Sequence, residues 1–203
     1  MFIQIMQGKV GDPGELKAAA DRWAHELAPG SIGWLGTTAG VTGDGTFIAL
    51  VHFESPEAAR QNSDRPEQAQ WWAETSKLFS GEVTFHDCTE TEVWGGGGSD
   101  AAGFVQVIQG RVRDFAGLVD HMRQQDEKAM QAARPDIIGG VSAAHPDGGI
   151  SDVLYFTTEA EARENERKEP PEQMKAMMEE MMRFYEGDEF TYLDLKTPWL
   201  YTR

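Results

Sequence analysis

The segment Phe2-Ile-Gln-Ile-Met-Gln-Gly-Lys-Val-Gly-Asp12 returns, one repeat later, as Phe104-Val-Gln-Val-Ile-Gln-Gly-Arg-Val-Arg-Asp114. Leu16 then matches Leu118, and Phe53-Glu-Ser-Pro-Glu-Ala-Ala-Arg-Gln-Asn62 matches Phe156-Thr-Thr-Glu-Ala-Glu-Ala-Arg-Glu-Asn165. Pro66-Glu-Gln68 matches Pro171-Glu-Gln173, and Thr84-Phe85 with Asp87 match Thr191-Tyr192 with Asp194. The offset grows from 102 to 107, as small loop insertions produce. So many ordered matches mark an internal duplication.

Each repeat reads as the same run of elements. Residues 2–8 are a short apolar strand. Asp12-Pro13 opens a helix whose apolar positions Leu16, Ala19, Ala20, Trp23 and Leu27 recur at helical spacing, and Pro29-Gly30 ends it. Residues 32–41 and 46–53 read as strands joined by a Gly-Asp-Gly turn, a hairpin. Ser55-Pro56 caps a short helix to Arg60, Pro66 starts a longer one through Phe79, and residues 82–88 form a last strand. The second repeat follows with 104–112, 115–133, 136–145, 150–156, 158–185 (interrupted near Pro170-Pro171) and 189–195. The order β-α-β-β-α-β is the ferredoxin-like split unit. The expected division is 1–94 for the first repeat, 95–103 for a glycine-rich linker, and 104–203 for the second repeat with an apolar tail, Pro198-Trp199-Leu200-Tyr201.

The first strand tests how the repeats are used. Ile3 and Ile5 lie on one side, Phe2 and Met6 on the other, and the second repeat does the same with Val105 and Val107 against Phe104 and Ile108. Strands apolar on both faces are covered on both faces. The expected fold class is therefore α+β: two ferredoxin-like repeats whose sheets pair as an intrachain pseudo-dimeric α+β barrel. The tail must cover a sheet edge or the neighbouring repeat.

Composition narrows the partners. The 203 residues carry 18 Lys and Arg against 34 Asp and Glu, a formal net charge of −16, and the acidity is shared by both repeats. With no basic cluster, a nucleic-acid partner is not expected. The same charge opposes anionic lipid, and no apolar run approaches the ~20 residues needed to span a bilayer. The opening residues show no signal-peptide pattern, so the expected location is cytoplasmic. Cys88 is the one cysteine, which leaves no intrachain disulfide and no cysteine zinc site.

On element order, duplication, two-faced strands and the Phe53…Ala-Arg-x-Asn62 segment, the chain resembles the dimeric α+β barrel superfamily. That group includes antibiotic-biosynthesis monooxygenases, heme-degrading monooxygenases, chlorite-dismutase-like and stress-responsive proteins. The resemblance implies a fused pseudo-dimer, either monomeric or a homodimer, whose halves are free to diverge. It also implies a small apolar or aromatic ligand held between helices and sheet by amides, aromatic rings and an arginine, with no cofactor. Heme chemistry departs from the pattern, because neither 66–79 nor 171–186 contains a histidine.

The resemblance directs attention to particular residues. Gln7, with Gln109 as its repeat, stands where heme-degrading relatives carry a catalytic amide; its plainer use is to fix the turn that follows. Asn62 and Arg60 recur as Asn165 and Arg163, and recurrence suits a helix cap and local ion pairs as well as a site. Trp34, Trp71 and Trp72 offer a flat apolar pocket in the first repeat, where the second has Ile138, Ala176 and Met177; core packing is the competing use. Among His25, His52, His86, His121 and His145 no metal-binding spacing occurs, so no metal is expected. His52 alternates with Ile48 and Leu50 and remains a candidate proton acceptor. Met174, Met177, Met178 and Met181 fall on one helical face and read as adaptable core. The expectation is a small-molecule-binding, monooxygenase-like protein with catalytic candidates Gln7, Asn62 and His52 and ligand contacts Trp34, Trp71, Trp72 and Arg60. The alternative is a non-catalytic interaction or stress-response protein.

Overall fold

The helices begin where the sequence supplies a cap. Asp12 Oδ1 accepts from the backbone N–H of Gly14 and Glu15 at 2.9 and 3.0 Å, and Ser55 Oγ accepts from Ala58 at 3.1 Å. Asp114 and Thr158 do the same in the second repeat, each cap contributing ~1 kcal/mol. The computed structural model describes residues 1–98 and 100–203. The first repeat runs β1 (Phe2–Lys9), α1 (Pro13–Arg22), β2 (Trp34–Val41), β3 (Thr46–Phe53), α2 (Pro56–Ser63), α3 (Pro66–Thr75) and β4 (Thr84–Cys88), followed by β5 (Glu90–Gly95). The second runs β6 (Phe104–Arg111), α4 (Phe115–Arg123), α5 (Glu127–Ala133), β7 (Ile137–Ala144), β8 (Gly149–Phe156), α6 (Glu159–Glu166), α7 (Glu172–Met181) and β9 (Thr191–Leu195), followed by β10 (Trp199–Thr202).

Two five-stranded antiparallel sheets result, ordered β10-β2-β3-β1-β4 and β5-β7-β8-β6-β9. The hairpins close on Gly45 and Gly148, whose φ values of 80° and 86° favour glycine. In both repeats the carbonyl of that glycine accepts from the strand-end valine, Val10 at 2.9 Å and Val112 at 3.0 Å.

The compact units differ from the division read in the sequence. One is Met1–Thr89 with Thr197–Arg203; the other is Glu90–Lys196. The reason is edge pairing. The β-α-β-β-α-β order leaves the outer edge of β2 and of β7 unpaired, and an open edge is a liability. The apolar tail, as β10, pairs Trp199 with Ala39 and Tyr201 with Thr37. Residues 90–95, read partly as the end of a repeat, pair with β7 instead. Each repeat thus gives its last strand to the sheet of the other. Of the expected linker, Gly95 lies in β5, Gly96 donates to the Ile138 carbonyl at 3.0 Å, and Ser99 lies outside the described residues.

Two local readings change. The single helix expected over 115–133 is two, because Asp126 caps a new start by accepting from Lys128 and Ala129. The helix to Leu27 continues past Arg22 as a wider π turn and then a 3₁₀ turn ending at Gly30.

In the first sheet Phe2, Phe53 and Trp34 pack with Trp23, Ala58 and Ala59 of the helical layer, and Phe47 and Ala49 pack with Leu16. Alternation puts Ile3, Ile5, Ile48 and Leu50 on the opposite face, and all four are fully buried. Burial of each such side chain is worth ~1.5–3 kcal/mol. Both faces of the sheet are therefore covered, as the two-faced strand pattern requires.

Candidate functional site

The face assignment separates the expected site residues. Trp34, Trp71 and Trp72 are on the helical side. Gln7 pairs in register with Ile48 and Thr84, and His52 with Ile3 and Gly36. Both belong to the opposite face, so the structure does not bring them to the tryptophans. His52 Nε2 is buried without a hydrogen-bond partner, and burial lowers its pKa from 6.5 to about 4. It is neutral near pH 7 and a weak proton acceptor.

Arg60 is exposed and pairs with Glu57 at 2.6 Å and Asp64 at 3.1 Å on its own side of the helix. Asn62 is buried, and its Oδ1 accepts from Arg65 Nη1 at 3.0 Å. The same nitrogen donates to the Leu27 carbonyl at 3.0 Å, which ties α2 to the end of the first helix. Arg163, the repeat of Arg60, has a different outlook. It bonds Asp194 and stands 5.1 Å from the Phe104 ring. Asp194 also accepts from Gln106 at 2.8 Å, as Asp87 does from Gln4 in the first repeat.

Four tryptophans of the first unit form one continuous stack. Trp23 meets Trp34 edge-on at 5.4 Å and Trp71 at 6.4 Å; Trp71 meets Trp72 at 6.3 Å, and Trp72 meets Phe79 at 6.0 Å and Phe85 at 5.5 Å. Three of the four indole N–H groups are satisfied: Trp23 by Gln68 at 2.6 Å, Trp34 by Thr37 at 3.0 Å and Trp71 by the Ala19 carbonyl at 3.0 Å. Aromatic rings used in this way fill volume and fix the layer.

The equivalent layer of the second unit is built differently. Helices α3 and α7 both have ten residues, so Trp71 and Trp72 correspond to Met177 and Met178, one position on from the sequence alignment. Trp34 pairs with Phe53 as Ile137 pairs with Phe156, which makes Ile137 its counterpart rather than Ile138. Met174, Met177 and Met181 are half-buried, but Met178 and Met182 are 46% and 37% exposed, so the methionine face is not wholly core.

Into this layer the second repeat puts three polar groups. Ala39 faces Ala49 in the first sheet; Ser142 faces Asp152 at the same register in the second. Phe79 bridges to Val10, and Tyr185 bridges to Val112. Ala39, Ala49 and Phe79 are thus replaced by Ser142, Asp152 and Tyr185. The three converge: Ser142 Oγ donates to Asp152 Oδ1 at 2.6 Å and Tyr185 Oη donates to Asp152 Oδ2 at 2.8 Å. Asp152 is deep in the layer, yet part of its surface is left uncovered. Burial pushes its carboxyl above the usual value, against the pull of the two hydroxyl bonds. Burial and the neighbouring carboxylate push the Tyr185 phenol up as well. Met122, Met181, Phe184 and Phe190 pack beside Ile150, Leu118 and Tyr185 around it.

Sequence reasoning missed all three. The signal was present in the duplication, because a charged residue interrupts the helix-facing side of Gly149-Ile-Ser-Asp-Val-Leu-Tyr-Phe156 where the first repeat has alanine. Near the end of β6 lies a shallow depression of about 510 Å³ lined by Gln109, Gly110, Asp188, Glu189, Phe190 and Thr191.

No protein-family profile matches the chain, and no curated protein matches it in sequence. Solved structures do match the fold. A candidate monooxygenase from Lactobacillus acidophilus is 15% identical with a TM-score of 0.74, over 99% of this chain and 95% of that one. A candidate monooxygenase from Fusobacterium nucleatum is 8% identical with a TM-score of 0.75, over 100% and 94%. An anthrone oxidase-like protein is 10% identical with a TM-score of 0.67, over 98% and 92%. The chain shares with them an α+β, ferredoxin-like fold, and at these identities the likeness concerns the fold alone. Among the described residues no helix is long and apolar enough to cross a membrane.

Proposed function

We propose that the chain binds a small apolar or aromatic molecule in the helix–sheet layer of its second unit and acts on it as a monooxygenase-like enzyme. The observation that carries this reading is the Ser142–Asp152–Tyr185 cluster, set among methionines where the first unit is filled with tryptophan. A buried carboxyl whose pKa is raised is a stronger base than an exposed one, which suits it to take a proton from an acidic C–H or O–H. An electron-rich anion so formed is the species that dioxygen oxidises. For an anthrone, the ring methylene and O₂ give a ketone and water, with the two methylene hydrogens leaving in the water.

Anthrone is a rational first probe, given the anthrone oxidase-like protein of the same fold. Binding is measured by calorimetry, and turnover by oxygen uptake and quinone absorbance against a protein-free blank. The expected result is acceleration that Asp152→Asn abolishes. Met177→Trp, which restores the residue of the first repeat, is expected to block binding while the protein stays folded. Binding and turnover unaffected by Met177→Trp but lost in Trp72→Phe would move the site to the tryptophan layer of the first unit.

A further inference from the structure

Among the described residues no cation pairs with the Asp152 carboxyl. Its bonding partners among the described residues are two neutral hydroxyls. Several cations of the second repeat pair with other carboxylates. Arg111 pairs with Glu186 at 3.1 Å, Arg123 with Glu92 at 2.7 Å, Arg163 with Asp194, and Lys175 with Glu169 and Glu172 at 2.6 and 2.8 Å. A buried carboxylate without a counter-charge is costly, and it either holds a proton or takes a cation from outside.

The surroundings favour the second course. Aromatic faces attract an ammonium group and flexible methionine side chains adapt to an apolar body; Phe184 and Phe190 supply the first, Met122 and Met181 the second. The titratable group in contact is Tyr185, which donates to the carboxylate; His121 of α4 stacks 5.6 Å from the Phe184 ring, and its Nδ1 lies 4.0 Å from Glu180 of α7. The net charge of −16 draws cations toward the molecule. The duplication bears on the apolar part as well. Ile137 and Met177 stand where the first repeat has Trp34 and Trp71, so smaller side chains line the layer at these positions, and Asp152 keeps part of its surface uncovered.

We propose that the recess around Asp152 binds a hydrophobic cation, a primary or secondary ammonium group carried on an apolar or bicyclic aromatic body. The ammonium donates to the carboxylate oxygens beside the Ser142 and Tyr185 hydroxyls, and the body fills the space between α7 and the sheet. This rests on the second unit being the ligand site and adds the charge of the ligand. The first repeat, with Ala39, Ala49 and Phe79 at the same positions, has no carboxylate to offer there.

The test is calorimetry on the full chain at pH 7 with two isosteric probes, 2-naphthylmethylammonium and 2-naphthylmethanol. The ammonium is expected to bind about tenfold or more tighter, the ratio that a charge-assisted hydrogen bond is worth. Asp152→Asn is expected to level the two affinities, and Met177→Trp to remove both. If Asp152→Asn fails to fold, the wild-type preference and its loss in Met177→Trp decide the matter alone. Equal binding of the two probes, both lost in Met177→Trp, overturns the cation while leaving the site. An ammonium preference that survives Asp152→Asn also overturns it. Binding of neither probe overturns both the cation and the site.

Discussion

His52 gives the most quantitative prediction. Its folded-state pKa of about 4 lies below the unfolded value of 6.5, because burial disfavours the charged ring. Below pH 6.5 the unfolded chain takes up a proton that the folded chain refuses. Stability contributed by the neutral, buried ring is therefore full above pH 6.5 and is lost as pH falls toward 4. The shift corresponds to about 3 kcal/mol in all, and about 2 kcal/mol of it is lost between pH 7 and pH 5. For a chain of this size that is a fall of roughly 4–8 °C in thermal midpoint. Carboxylates titrate in the same direction at lower pH, so the measured quantity is the difference between wild type and His52→Leu. Urea unfolding in steps from pH 7.5 to pH 5 is expected to show the wild type losing about 2 kcal/mol more than the variant. Parallel pH profiles would mean that His52 is protonated or hydrogen-bonded in solution, and the assignment of a neutral, unpartnered ring would be withdrawn.

Three further expectations follow from named contacts. Tyr185→Phe should cost roughly 1.5–3 kcal/mol, the worth of a hydrogen bond to a charged group, and almost nothing in an Asp152→Ala background; a coupling near zero in that double-mutant cycle would mean the bond is not made. Asp152→Asn should gain in stability relative to wild type as pH rises above 3.8, because the raised folded-state pKa makes the native carboxylate a growing liability there; chemical denaturation at pH 4 and pH 8 reads the sign. Arg65→Ala should destabilise by roughly 1–3 kcal/mol through loss of its bonds to Leu27 and Asn62, whereas Arg60→Ala should leave unfolding and ligand affinity unchanged, since its partners are exposed.

The fold was legible because it is written twice. Hydrophobic alternation in Phe2–Met6 and Phe104–Ile108, caps at Asp12 and Asp114, and turns at Gly45 and Gly148 are local signals, and each repeat reinforces the other. The unit boundary was not legible, since the strand partner of β5 or β10 is chosen by an open edge far away in sequence. Composition near residue 95 marks only a change of direction. The faces of the candidate residues were partly legible. Strand period put His52 with Ile48 and Leu50 and away from Phe53, and the same count applied to Gln7 separates it from Trp34. Reading all of them as one pocket set aside that count.

The duplication also explains why the informative residues differ between repeats. A residue needed for the fold is needed twice, and Leu16 with Leu118, or Gln4–Asp87 with Gln106–Asp194, recur in kind and in contact. A residue kept for a ligand is needed once. Asp152 in the place of Ala49 lowers stability unless something answers its charge, and Ser142 and Tyr185 answer only its hydrogen-bonding capacity. The first repeat spends the same volume on four stacked tryptophans, three of them with their N–H groups satisfied, an arrangement whose direct effect is rigidity. The second repeat has instead accepted a buried carboxyl with a raised pKa beside flexible methionines. That is the less stable of the two solutions, and a group that costs stability in one repeat alone is the physical ground of our proposal that the ligand binds there.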